Sequence, residues 1–188
     1  MTDVRSVSQP TLFSFVGGES GDWSIVAQTC QAGDPLPRAA FLDVRPGPAQ
    51  PSHPAGWTLR GVVSNERYVE RPERDRLVAT QAPLGRAECT RAALIPIRKS
   101  AAWWACTQDE RRAIFEERSR HIALSLSYLP RVARRLHHSR DLGEPFDFLT
   151  WFDFAEKDAA AFDELVGRLR ETEEWTYVDR EIDIRVAR

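Results

Sequence analysis

The feature that most constrains the fold is a series of seven short segments rich in β-branched and aromatic residues, spread between residues 11 and 186. The segments are TLFSFV, WSIVAQTC, AAFLDVR, WTLRGVVS, RAALIPIRKS, FDFLTWFDF and WTYVDREIDIRV. The loops GGESGD, AGDPLP and PGPAQPSHPAG separate the first four segments, and loops of this composition are typical of connections between strands. A chain with this many strands must bury them in a sheet.

Three helical segments interrupt the strands. The charged segment 70–82 predicts a short surface helix, and the segment 157–174 has the periodicity of an amphipathic helix. Between them, Thr107 and Glu110 have the spacing of a capping box, which predicts the start of a long helix. The expected apolar stripe of that helix consists of Phe115, Ile122, Leu126, Leu129, Ala133 and Leu136. Strands and helices that alternate in this way predict an α+β fold.

The length of 188 residues favours one domain, because domains commonly contain about 100 to 200 residues. Both halves of the chain mix strands and helices in similar proportion, although no clear sequence repeat relates them. We predict a single domain over residues 1–188 in which two α+β halves, about 1–98 and about 99–188, share one sheet system.

Composition and charge exclude several partners. The chain has 26 basic and 28 acidic residues, and its net charge of -2 argues against a nucleic-acid partner. No apolar run approaches the roughly 20 residues that cross a bilayer, so we expect no membrane partner. The N-terminus lacks the features of an export signal, which predicts a cytoplasmic location. Cys30, Cys89 and Cys106 lack the spacing of a disulfide framework or a zinc cluster.

The scarce chemical residues are four histidines, because the standard phosphate-binding, dinucleotide-binding, zinc-protease and serine-hydrolase motifs are missing. We expect His53 to be exposed in a proline-rich loop, and His137 and His138 to cap the end of the long helix. His121, at the border of a charged run and the apolar stripe, is either structural or a metal or haem ligand. On composition alone, Arg134, 13 residues later, is interpreted as one solvated arginine among several.

Four longer segments resemble the chlorite dismutase family of haem proteins. They are HIALSLSYLPRVARRLHHSRDLGEPFDFLTWFDF, WTLRGVVSNERYVERPE, ALIPIRKSAAWW and the tail helix that ends RETEEW, and together they extend from Trp57 to Trp175. The length of the chain is similar to that of the short, dimeric branch of the family. The resemblance implies two ferredoxin-like units that form a dimeric α+β barrel, with haem b in the C-terminal unit, and a homodimer as the assembly.

The resemblance also implies roles for particular residues. His121 matches the proximal iron ligand, Arg134 matches the distal arginine, and Glu174 matches the glutamate that binds the free nitrogen of the ligand histidine. Thr150 and Phe152 match positions in the distal pocket. The positions that match the haem edge and the propionates are Asn65, Tyr68, Lys99, Trp103 and Trp104.

His121 and Arg134 cannot flank one iron from a straight helix. Thirteen residues at about 1.5 Å each would separate the two side chains by about 20 Å along the helix axis. Pro130 lies between them, lacks an amide proton and clashes with the carbonyl of Leu126. We therefore predict that the helix bends or restarts at Pro130.

The resemblance implies that the chain converts chlorite to chloride and dioxygen through a ferryl haem, with hypochlorite held beside it by Arg134. Relatives that decarboxylate coproporphyrin haem lack the distal arginine, which weighs against that reaction here. Two alternatives remain open. One is a haem-binding protein or weak peroxidase of the same fold, and the other is a dimeric α+β ligand-binding module whose arginine-rich helix contacts an acidic partner.

Overall fold

The computed structural model describes residues 11–49, 56–63 and 68–188. Within these ranges, eight strands form a closed barrel in which every neighbouring pair is antiparallel. The strands are β1 (Leu12–Gly18), β2 (Trp23–Ala32), β3 (Phe41–Pro46), β4 (Trp57–Val63), β5 (Arg91–Lys99), β6 (Val132–His138), β7 (Phe148–Phe154) and β8 (Val178–Ala187).

Helices cover one side of the barrel, and none that the structure describes is long and apolar enough to cross a membrane. The α-helices are α1 (Arg71–Thr80), α2 (Ala101–Ala105), α3 (Gln108–Arg112), α4 (His121–Leu126) and α5 (Ala159–Arg170). A π-helical segment, Ala113–Arg118, continues α3, and three short 3-10 segments lie at Arg140–Leu142, Glu156–Asp158 and Glu173–Tyr177.

The strand order repeats around the barrel. The first four strands follow the order β4-β1-β3-β2 and the last four follow β8-β5-β7-β6, which is the same pattern of fourth, first, third and second strand. Pairing of β2 with β8 and of β4 with β6 joins the two sets into one closed sheet. The second set has helices in both crossovers, as in a ferredoxin-like βαββαβ unit, whereas only four residues separate β1 from β2. The predicted α+β barrel is therefore confirmed.

Two large apolar clusters and a smaller one between α1 and α4 hold the barrel and its helices together. Inward-facing residues of β1, β3, β4, β5, β7 and β8 fill the barrel, and include Phe15, Leu42, Leu59, Leu94 and Ile184, all at most 1% exposed. A second cluster lies between the outer face of β5 to β7 and helix α5. Since β5 and β7 are buried on both faces, they read as nearly continuous apolar runs in the sequence.

The single long helix predicted from Thr107 onward is wrong. Its first half is divided into α3, the π-helical segment and α4, with Arg120 at a φ of 53° before α4, and its second half is not helical. Helix α4 ends at Leu126, a turn that contains Pro130 follows, and residues 132–138 form strand β6 between β4 and β7. The chain therefore breaks near Pro130, as the spacing argument required, but it resumes as a strand. The run VARRLHH resembles an exposed helix because of its charges. In the structure, however, the guanidinium carbon of Arg135 lies 4.0 Å from the centroid of the Phe13 ring, as in a cation–π contact.

Candidate active site

A deep pocket lies between the outer face of β5 to β7 and the helices that cover it. Its empty volume is about 920 Å³, including the part that is open to solvent. One wall, which we call the sheet wall, comes from the three strands. The other, the helical wall, is formed by Phe115, His121, Ser125, Leu165, Val166, Leu169, Glu174 and Trp175.

Strand register builds the sheet wall in three rows. In the first row Arg134 of β6 pairs with Phe152 of β7, in the second Leu136 pairs with Thr150, and in the third His138 pairs with Phe148. Side chains two residues apart on a strand share one face, so all six point to the same side, and all six line the pocket. Ile95 and Ile97 of β5 extend the second and third rows, and they line the pocket as well.

On the helical wall, His121 is the first residue of α4 and is hydrogen-bonded to Glu174. The His121 Nδ1 atom lies 2.7 Å from the Oε2 atom of Glu174, which is only 4% exposed. Because an ionised carboxylate can only accept, Nδ1 carries a proton, and in the neutral imidazole Nε2 is then the atom with the free lone pair. The fold thus unites two residues that lie 53 positions apart and prepares one imidazole nitrogen to bind a metal.

Lys99 completes this arrangement from the end of β5. Its ammonium donates to Oε1 of Glu174 at 2.8 Å and to the backbone carbonyl of the same residue at 3.2 Å, and its side chain is 1% exposed. Burial alone would raise the pKa of Glu174, but the charge of Lys99 and the contact with His121 outweigh it and lower the pKa to about 2. Glu174 is therefore a buried anion at neutral pH.

Two residues of the π-helical segment orient helix α4. The Glu116 carboxylate accepts the backbone N–H groups of Ile122 at 2.6 Å and Ala123 at 3.2 Å, so it caps the helix from a distance. The ring of Phe115 stacks on the His121 imidazole, with centroids 4.3 Å apart and planes 22° apart. The extra residue in a π-helical turn shifts the side chains that follow it, and here both contacts come from that turn.

Arg134 brings a positive charge to the mostly apolar sheet wall. Its neighbours across the strands are Phe152 in the same row and Thr150 in the next row. The backbone carbonyl of Arg134 accepts a hydrogen bond of 2.8 Å from the Gln81 side chain, which ties β6 to the residue that follows α1. A guanidinium group that cannot lose its proton near neutral pH is suited to bind a small anion in such a pocket.

Apart from Lys99, which binds Glu174, the residues expected around the cofactor edge divide into three groups. Tyr68 and Trp103 line the pocket, and Trp103 is 1% exposed with an Nε1 atom that has no hydrogen-bond partner among the described residues. Trp104 lies behind the wall, where its ring stacks on Phe148 and its Nε1 donates to Asp147 at 3.2 Å. The Asn65 prediction falls outside the described residues, as does that for His53.

The prediction that His137 and His138 cap a helix is wrong, since both lie on β6. His138 lines the pocket, and its ring makes an edge contact with Phe148 at a centroid distance of 4.7 Å. His137 points into the barrel, where its Nδ1 lies 3.0 Å from the carbonyl of Leu149 and burial lowers its pKa to about 4. Strand alternation from Arg134 would have found His138, had β6 been recognised.

Other pocket residues were also missed. Phe115, Leu165, Val166 and Leu169 look like ordinary core positions of amphipathic helices, and the sequence holds no signal that separates a pocket wall from a packed core. The amphipathic helix also ends earlier than expected, at Arg170, so that Glu174 belongs to the 3-10 segment after α5.

The residues of this pocket fit haem. The walls of the pocket are mainly apolar with a few polar groups, as cofactor sites require. His121 offers one ring nitrogen while the other binds a carboxylate, which is the usual arrangement of a metal-ligating histidine. The buried Nε1 of Trp103 is a donor that a carboxylate of the cofactor could satisfy.

The fold and the site together define a class of protein, an α+β barrel with a cofactor-sized pocket between its sheet and its helices. Within that class, the chain belongs to the chlorite dismutase family, whose model matches residues 51–188.

Individual relatives agree with this assignment. A dimeric chlorite dismutase from Nitrobacter winogradskyi is 60% identical, with a TM-score of 0.88 over 94% of this chain and 99% of that one. A chlorite dismutase variant from Candidatus Nitrospira defluvii is 27% identical, with a TM-score of 0.58 over 70% of this chain and 55% of that one. Chlorite dismutase from Ideonella dechloratans is 35% identical over 86 residues, which are 46% of this chain and 28% of the relative, so the matched part spans under a third of that protein.

Proposed function

We propose that the protein binds haem b and converts chlorite to chloride and dioxygen. The observation that carries the proposal is the hydrogen-bonded pair of His121 and Glu174 on the helical wall of a pocket whose sheet wall contains Arg134. The 60% identity to a chlorite dismutase over 94% of the chain supports the same activity.

Haem, when bound, supplies a redox-active iron at which the oxygen–chlorine bond is broken and the oxygen–oxygen bond is formed. His121 would hold the iron through Nε2. Glu174, with its pKa lowered to about 2, stays ionised and draws the Nδ1 proton of His121 toward itself. The imidazole thereby becomes a stronger electron donor, which favours the more oxidised states of a metal.

Arg134 would bind the substrate on the opposite wall. Its guanidinium group keeps its charge near neutral pH, and a charge that is already in position attracts chlorite without reorganisation of the site. The same charge would retain the anionic hypochlorite fragment until it reacts again. Phe152, in the same row as Arg134, and Thr150, in the next row, would limit the space around that fragment.

We also propose that the protein is a homodimer, because the 60% identical relative is dimeric. Light scattering on the purified protein should give a mass of about twice 21.4 kDa. A mass close to five chains would refute the dimer.

Haem titration and oxygen evolution test the proposed function. The wild type should develop a Soret band with one haem per chain and release about one dioxygen per chlorite, with free haemin as the control. His121→Ala should lose haem, whereas Arg134→Gln should keep haem and lose turnover by about 100-fold or more. Arg131→Gln, which removes a nearby exposed arginine, is the matched control and should retain both.

Two results would contradict these assignments. If His121→Ala retained as much haem as the wild type, His121 would not be the ligand. If the wild type bound haem without releasing oxygen from chlorite, the reaction would be wrong while the haem site stood.

A further inference from the structure

A second group of positive charges lies just outside the pocket, behind Phe148. Phe148 is two rows from Arg134 on the sheet wall, and its outer side stacks on Trp104. The guanidinium groups of Arg111 and Arg140 both contact the Trp104 ring, at 5.3 Å and 3.9 Å from its centroid. Both cations therefore lie next to this end of the pocket, and Arg111 also contacts the lining residue Tyr68.

Arg111 is held in place without a counter-charge. Its Nε and Nη2 atoms donate to the carbonyl of Cys106 at 3.0 Å and 2.7 Å, and its Nη1 donates to the phenol oxygen of Tyr68 at 3.2 Å. A guanidinium group has five N–H bonds, so two of them remain. In the described part of the chain no carboxylate pairs with Arg111, whereas Arg140 lies 3.5 Å from Asp147. A partly buried, fixed cation of this kind favours an anionic ligand.

Two further donors lie beside Arg111. Tyr68 lines the pocket, and because its oxygen accepts from Arg111, its own O–H is left to donate. Its backbone has a φ of 60°, which is uncommon for residues other than glycine, and Arg112 holds its carbonyl while pairing with Glu73 at 2.7 Å. The Trp103 ring lies 6.2 Å from that of Tyr68, and its buried Nε1 has no partner in the described ranges. This end of the pocket thus offers several donors to an acceptor.

We propose that Arg111 binds a propionate carboxylate of haem at this end of the pocket, together with the Tyr68 hydroxyl. Haem has both carboxylates on one edge of an otherwise apolar ring. With the iron on His121, that edge is best placed where the donors lie, beyond Phe148. The inference rests on the proposed haem site and adds to it an anchor on helix α3.

A thermodynamic cycle between protein and ligand tests this anchor without using activity. Full-length protein prepared without haem is titrated with haem and with haem dimethyl ester, whose carboxylates are masked, and binding is followed by the Soret band and by tryptophan fluorescence. Arg111→Gln should weaken haem binding by about ten-fold, the low end for a hydrogen bond to a charged group, and should leave the affinity for the ester unchanged. Arg111→Lys keeps the charge and should show a smaller loss.

Arg91→Gln is the matched control, because it removes a partly exposed arginine at the far end of β5 and should bind both ligands as the wild type does. Circular dichroism of each variant establishes that it is folded. If Arg111→Gln lost the same affinity for haem and for the ester, the proposal would be overturned, because Arg111 would then act through packing alone. If Arg111→Gln bound haem as tightly as the wild type, the proposal would be overturned as well. If the wild type bound neither ligand, the haem site itself would fail, which is a distinct outcome.

Discussion

Replacement of Glu174 by glutamine isolates the charge of the buried carboxylate. The amide has nearly the same shape and can still accept a hydrogen bond from His121, but it leaves the ammonium of Lys99 buried without its anion. Removal of one partner from a buried ion pair is strongly destabilising, because the remaining charge stays desolvated.

The lowered pKa sets the expected magnitude. A pKa reduced from 4.5 to about 2 corresponds to about 3 kcal/mol of folding free energy at neutral pH. The unfolded chain takes up this proton near pH 4.5, whereas the folded protein resists it until about pH 2, so the stability is present above pH 4.5 and is lost as the pH falls through this interval. Glu174→Gln has no such proton to take up.

Urea unfolding of the haem-free protein measures this difference, at one protomer concentration because the proposed dimer makes stability depend on concentration. Glu174→Gln should be about 3 kcal/mol less stable than the wild type at pH 7, and the gap should narrow below pH 4.5. Glu173→Gln is the control, because Glu173 is 42% exposed and pairs with an exposed Arg118, so it should change stability by less than about 1 kcal/mol. Equal losses in the two variants, or a gap that does not depend on pH, would refute the reasoning.

Three further predictions concern the framework of the site. Gly61→Ala would place a Cβ atom 2.6 Å from the Cβ atom of His137 and should lower the free energy of unfolding in urea by about 1 to 3 kcal/mol. Gly18→Ala is the control, because a Cβ atom there has no neighbour within 4 Å, and similar stability of the two variants would contradict the close approach. Because burial lowers the pKa of His137 to about 4, the stability of the protein should decline as the pH falls from 6.5 to about 4. This decline should be absent in His137→Gln, and a decline of the same size in that variant would exclude His137 as its source. Glu116→Gln should lower the free energy of unfolding by about 1 kcal/mol, because the cap on α4 becomes weaker, and it should speed haem loss. An equal effect from Glu117→Gln, which replaces an exposed residue, would show that the cap is not responsible.

Local sequence patterns were sufficient for most of the barrel. Seven of the eight strands in the described ranges coincide with segments rich in β-branched and aromatic residues, because a strand in a closed barrel buries at least one face. Strand β6 was missed because its inward and pocket-facing positions include arginine and histidine, and because Leu129, Ala133 and Leu136 also fit a helical period. A strand that contributes arginine and histidine to a pocket does not have the composition of a core strand.

The candidate site was predicted through family resemblance more than through spacing. The structure places His121, Glu174 and Lys99 in one hydrogen-bonded set and puts Arg134 on the facing wall of the same pocket. The spacing of 13 residues indicated only that the chain must break, since a helix could not bring both groups to one metal. It could not indicate a strand on the far side of the break.

By itself, the sequence determined the fold class and seven of the eight strands in the described ranges, because residue type and short-range periodicity depend on each element alone. The candidate site residues were predicted from the family resemblance. The tertiary structure decided which of these residues meet. Glu174 reaches His121 because α5 ends at Arg170 and the next turn returns to α4, and Arg134 shares a wall with Thr150 because β6 pairs with β7 in one register. A shift of that register by one residue would turn Arg134 into the barrel, so the site depends on contacts between distant elements that no local pattern encodes.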